Sequence, residues 1–202
     1  MLVREVMSRK PVTVRASTPV KEALALLDRH SITMMPVVSP AGVIVGVVSE
    51  ADLIREVVNP DVRSHMIPQQ RGQTVLPPPH AVVEVMNHQT ITVRGDTDLA
   101  EAANLLTGTA VKSLPVIDEH HRVIGVISRR DIVRVLARSD DVVEQDVDAL
   151  FHSLGVDWLV DVRDGVVTVT GPVDARERAL AESATSTVPG VVAVTVKNAR
   201  VG

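Results

Sequence analysis

The chain has 202 residues and a formal charge of −4, and 45% of it is hydrophobic, a globular composition with room for one or two packed domains. Val, Ile, Leu and Ala supply nearly all of that fraction, with one Trp, one Phe and no Tyr, which argues against aromatic stacking platforms for nucleic acid and suits sheets covered by helices. The lack of cysteine excludes disulfides, thiolate metal sites and thiol nucleophiles, and fits a reducing cytoplasm. No long basic stretch offers a nucleic-acid footprint, so no nucleic-acid partner is expected. Residues 1–8 carry no signal-peptide core, and the densest apolar run, residues 43–48, is strand-sized rather than membrane-spanning. The expected location is cytoplasmic, at most peripheral to a membrane.

In chain order, the first copy of a repeat opens with a turn-forming stretch, Arg9-Lys10-Pro11, and a short Val-Thr-Val strand. Ser17-Thr18-Pro19 then places an N-cap before a helix with apolar residues at Val20, Ala23, Leu24 and Leu27. Two β-rich runs, residues 35–38 and 43–48, join through Ser39-Pro40-Ala41-Gly42 as a hairpin, and Ser49-Glu50-Ala51-Asp52 caps a closing helix through Val58. Sliding the chain by 79 positions repeats this β-α-β-β-α order without a gap. Val6-Met7 falls on Val85-Met86, Thr13-Val14-Arg15 on Thr92-Val93-Arg94, and Pro36-Val37 on Pro115-Val116. Gly46, Ser49, Asp52 and Arg55 fall on Gly125, Ser128, Asp131 and Arg134. One copy is too small to bury its own apolar faces, so the two are expected to pack on each other. The predicted organisation is α/β (α+β): repeat 1 over 1–58, a Pro-rich linker over 59–80, repeat 2 over 81–139 and a tail over 140–202.

The tail reads as a helix carrying Val143, Val147, Leu150 and Phe151 and ended by Gly155. A hairpin turning at Asp164-Gly165, a helix over 174–187 and a final strand within 188–196 complete an α-β-β-α-β order. The seven histidines have no metal-ligand spacing; His120-His121 are adjacent in a hairpin and point to opposite faces, so no metal is expected. No phosphate loop, nucleophile elbow or paired-carboxylate cleft appears, and the chain is not expected to be an enzyme.

The pattern Gly-h-h-Ser-x-x-Asp, where h is apolar, occurs as Gly46 to Asp52 and again as Gly125 to Asp131, each time behind a Pro-Val strand. On these residues the first 139 or so positions resemble a tandem pair of CBS domains, a regulatory module. The resemblance implies a pseudo-symmetric pair, no required cofactor and a regulatory ligand of adenosine type (AMP, ADP, ATP or S-adenosylmethionine). That ligand would bind in a cleft between the copies, in a homodimer of pairs that signals to a protein partner. It assigns ligand contacts to Ser49, Asp52, Ser128 and Asp131, to Thr18 and Thr97, and purine packing to Met35, Pro36, Leu114 and Pro115. The residues themselves allow that role: a Ser at a strand-to-helix junction can seat phosphate, and an Asp one turn on can accept ribose hydroxyls. The same Ser and Asp are equally a capping pair in a copy that binds nothing. Lys112, Arg129 and Arg130 surround the second motif, against Thr33, Glu50 and Ala51 in the first, so the phosphate is expected at the second copy, with Arg129 or Arg130 alternatively a solvated charge. The tail, with its Asp-Gly hairpin, Thr170-Gly171 and Val188-Pro189-Gly190-Val191, resembles a BON domain, which implies binding to phospholipid or another ligand. Its basic residues, Arg163, Arg176, Arg178, Lys197 and Arg200, are interspersed with acids, which favours a packing or protein-interaction role instead.

Overall fold

The computed structural model describes residues 1–57, 79–172 and 174–198. The linker expected over 59–80 therefore lies outside the described residues except for Pro79 and His80, as do His65 and Arg200.

Each repeat builds a hairpin flanked by two helices. In the first, α2 (Val20–His30) leads to β2 (Met34–Val38), β3 (Ile44–Ser49) and α3 (Glu50–Val57); in the second, α4 (Leu99–Gly108) leads to β5 (Ser113–Ile117), β6 (Val123–Ser128) and α5 (Arg129–Leu136). The hairpins keep the 79-residue register, with Pro36 opposite Val47 and Pro115 opposite Val126, and both carry an irregularity at the same step, after Val37 and Val116. The short Val-Thr-Val strands are reduced to a parallel bridge, Val14 to Val37, and a two-residue strand β4 (Val93–Arg94) on β5. Pro19 is the N-cap of α2 with no side-chain bond, while Asp98 caps α4 by accepting the Ala100 N–H at 2.7 Å.

The cores do not follow the copies. Helix α1 (Val3–Val6) and strand β1 (Ser8–Arg9) cross over to the second repeat, where β1 extends its sheet to the order β1-β6-β5-β4. The equivalent segment of repeat 2, a 3₁₀ turn over Val82–Glu84 followed by Asn87, crosses back to β3, pairing Asn87 with Val47. The backbone bonds match one for one: Val3 N–H donates to Thr97 O at 2.9 Å and Val82 N–H to Thr18 O at 2.9 Å, and Arg4 and Val83 likewise bond Gly95 O and Ala16 O. Val82, with Val85 and Met86, therefore packs into the core of Val14, Leu27, Met35 and Leu53. Val3, with Val6 and Met7, packs into that of Leu106, Leu114 and Ile127. The exchange also explains the glycine of each motif: a methyl on Gly46 would lie 2.8 Å from Asn87 O, and one on Gly125 would lie 2.5 Å from Met7 Sδ.

The hairpin turns meet on the pseudo-two-fold axis, where Val43 bridges Arg122, Ile44 N–H bonds His121 O and Val123 N–H bonds Gly42 O. Asp118 organises the second turn by accepting the N–H groups of Arg122 and His120 at 2.8 and 2.9 Å. The Arg122 bond is the main cause that holds its carboxyl below the usual carboxylate value.

The tail starts four residues after α5 with α6 (Asp140–Leu154), then β7 (Leu159–Arg163), β8 (Val166–Thr170), α7 (Ala175–Thr185) and β9 (Ala193–Lys197). These make a sheet in the order β7-β8-β9, with β9 parallel to β8. Val162, Val167 and Val169 face α6 through Val147 and Phe151, and Phe151 meets Trp158 edge-to-face at 5.1 Å. Arg138 bonds Pro189 O and Asp146, both at 2.6 Å, and the Asp140 carboxylate accepts the N–H groups of Asp164 and Gly165. The Arg138 bonds tie the tail to the segment after α5, and those of Asp140 fix the start of α6 to the hairpin turn. Among the described residues no helix is long and apolar enough to cross a membrane, and no group of three or more His, Asp or Glu could hold a metal ion.

Candidate functional site

Both motifs fold into the same capping box. Ser49 N–H and Oγ donate to Asp52 Oδ2 at 3.0 and 2.6 Å while Asp52 N–H returns to Ser49 Oγ at 3.3 Å. At the second motif the corresponding distances are 2.9, 2.7 and 3.4 Å. What differs is the other carboxylate oxygen. Asp131 Oδ1 is engaged by Arg134 at 3.2 Å and, at 3.5 Å, by the hydroxyl of Ser8 on the crossed-over arm, and the residue is only 4% exposed. At the first motif the position of Ser8 is held by Asn87, whose side-chain oxygen turns back to the Gln89 N–H at 2.8 Å. Asp52 Oδ1 is left without a protein partner among the described residues, and Asp52 is partly exposed.

A cleft of about 220 Å³ opens there. Ser49 and Asp52 line it together with Glu50, Ala51, Val47 and Asn87, and across the axis Thr33-Met34 face their repeat equivalents Lys112-Ser113, with Ala110 and Val111 beside them. Both repeats therefore supply its walls. Lys112 Nζ meets Glu50 Oε1 at 2.7 Å across the cleft. Sequence spacing set Lys112 beside the second motif; the structure brings it to the first, because position 112 is near the axis.

The remaining candidate residues do not line this cleft. Ser128 and Asp131 form the closed second box. Arg129 donates to the carbonyls of Leu106, Thr109 and Val111, which closes the C-terminal end of α4, and Arg130 is exposed on the first turn of α5. Thr18 and Thr97 accept the N–H groups of Arg15 and Arg94, as local turn bonds. Met35 and Leu114 are wholly buried core residues, and Pro36 and Pro115 are buried beside them. Asn87, Met34, Ala110, Val111 and Ser113 escaped the sequence reading; the signal available was that repeat-equivalent positions meet on the axis.

The protein-family model described as CBS domain matches residues 3–59 and again residues 82–138, together more than half of the chain. The chain belongs to the CBS-domain family. Its CBS pair is 28% identical to Arabidopsis thaliana CBSX2, solved in complex with AMP, with a TM-score of 0.52 over 66% of this chain and 93% of that one. It is 26% identical over 154 residues to the uncharacterized protein MJ1426 of Methanocaldococcus jannaschii, covering 67% of this chain and 91% of that protein. Against the magnesium transporter MgtE of Thermus thermophilus the identity is 33% over 172 residues, which is 83% of this chain but only 32% of the transporter.

Proposed function

We propose that the chain is a non-catalytic regulatory module whose CBS pair binds an adenosine-type ligand in the cleft beside Ser49 and Asp52 and relays its occupancy to a protein partner. The observation that carries this reading is that Asp52, whose Oδ1 has no protein partner among the described residues, lines a cleft walled by both repeats. A carboxylate oxygen held by a capping box is a fixed acceptor for ribose hydroxyls, and Met34, Val47 and Val111 offer an apolar surface to a purine. The complex of the similar CBSX2 with AMP supports the ligand class. Because the walls come from different repeats, a ligand touching both biases their relative position. The geometry thus favours the first copy over the second, where the arm hydroxyl and Arg134 already occupy Asp131.

Melting the protein with adenosine, AMP, ADP, ATP and S-adenosylmethionine tests the reading. A ligand at about 100 times its Kd adds about 2.7 kcal/mol, a rise of several degrees in a chain of this size. Asp52→Asn is expected to remove the rise; Asp131→Asn is expected to lower the starting Tm and keep it. No shift with any adenosine compound would overturn the reading.

The homodimer belongs to the same proposal. Ile54 on α3 and Val133 on α5 are repeat equivalents, 52% and 61% exposed, and a second copy can cover both by presenting the same pair. Ile54→Glu is expected to shift sedimentation toward the monomer; a monomeric parent chain would refute this. For the BON-like tail we favour a protein-facing role over phospholipid, because its open sheet face mixes Asp161, paired to Arg163, with threonines. Pelleting of the full chain with anionic vesicles would overturn that choice.

A further inference from the structure

We infer that the cleft at Ser49 and Asp52 selects an adenosine derivative without negative charge at its 5′ end, such as adenosine, 5′-methylthioadenosine or S-adenosylmethionine, and disfavours mono- and polyphosphates. The inference rests on the ligand reading above and adds the charge of what is bound.

A phosphate at a helix start is normally held by free backbone N–H groups and an unpaired cation. Among the described residues most of these groups are already engaged here. The Ser49 N–H donates to Asp52 Oδ2 at 3.0 Å, the Asp52 N–H to Ser49 Oγ at 3.3 Å, and the Glu50 N–H to the carbonyl of Thr33 at 3.0 Å. Three of the four junction amides from Ser49 to Asp52, those of Ser49, Glu50 and Asp52, are thereby spent on the protein itself.

The charges point the same way. Among the described residues the charged groups lining the cleft are Glu50, Asp52 and Lys112, a net charge of −1, and Lys112 is already paired with Glu50 at 2.7 Å. Glu50 and Asp52 stand in the first turn of α3 and offset the positive helix end that would draw an anion. A phosphate would have to take Lys112 from Glu50 and leave that carboxylate facing it. At the equivalent of Glu50 the second repeat has Arg129, whose Nε and Nη2 are committed to three carbonyls of the 106–111 segment. Among the described residues no second cation joins Lys112 from across the axis. An uncharged or cationic 5′ group meets none of these costs, while Asp52 Oδ1 remains open to ribose hydroxyls.

Isothermal titration of the full chain with adenosine, 5′-methylthioadenosine, S-adenosylmethionine, AMP and ATP tests this. The neutral and cationic compounds are expected to bind at least about tenfold more tightly than AMP, with ATP weaker still. Equal or tighter binding of AMP or ATP would overturn the inference and leave the ligand-module reading intact. Absence of binding by all five would take down both. Glu50→Gln, a substitution at a partly exposed position, separates the cause: AMP affinity is expected to rise about tenfold while adenosine changes little. A variant that moves both compounds together, or neither, would overturn the assignment to Glu50.

Discussion

Gly46→Ala is expected to destabilise the repeat pair by about 3–5 kcal/mol, more than the same change at Gly125. The added methyl would sit 2.8 Å from the carbonyl oxygen of Asn87, a backbone atom that can move only with its arm. Overpacking of this kind costs about 1–3 kcal/mol. Lifting the arm also breaks the Val47 N–H to Asn87 O and Asn87 N–H to Val47 O bonds, at 3.0 and 2.8 Å, each worth about 1 kcal/mol. At Gly125 the nearest atom is the thioether of Met7, the end of a side chain with several rotatable bonds, and the backbone oxygen of Ser8 is farther away at 3.1 Å. The arm there can stay in place while the side chain turns. Thermal melts of the two variants, with hydrogen exchange at the Asn87 amide, check the order. A Gly46→Ala protein with parental Tm and a protected Asn87 would refute it.

Phe151→Ala is expected to cost about 3–5 kcal/mol and to melt the tail apart from the repeats. Phe151 is the only Phe of the chain, is 1% exposed, and packs on the only Trp at an interplanar angle of 79°. The tail core is otherwise tiled by valines and an alanine, which cannot collapse into the space of a lost ring. Since Trp158 lies in that core, its fluorescence reports on the tail alone, and in the variant it should shift to the red at a lower temperature than the loss of far-UV ellipticity from the repeats. Coincident transitions by both probes would mean that the Arg138 contacts make tail and repeats one cooperative unit.

The elements that can be read from the sequence are those whose causes are local. The apolar spacing of Val20, Ala23 and Leu27, the Asp164-Gly165 turn with both residues at positive φ, and Gly155 ending α6 in the left-handed region act within a few residues. The duplication is legible because equivalent positions 79 apart carry equal residues. The crossed arms are not, since Ser8 meets Val126 across more than a hundred positions and no local pattern marks the pairing. The candidate site suffered for the same reason. Ser49 and Asp52 are visible as a motif, but which motif stays open depends on Ser8 against Asn87 in the arms and on Arg134, which turns to Asp131. Lys112 and Arg129 read alike as cations near the second motif, yet one reaches over the axis and the other turns to the end of α4.

The crossing of the arms also changes what counts as the unit of inheritance. Neither half of the duplication owns a complete sheet or a complete core, since each lends its opening residues to the other. A single copy expressed alone would expose one vacant strand edge and carry one orphaned arm, both invitations to pair with a stranger. The pair therefore persists or fails as a whole. The copies were free to diverge in their charges, with Glu50 in one at the position of Arg129 in the other, but not in the length of chain between an arm and its glycine.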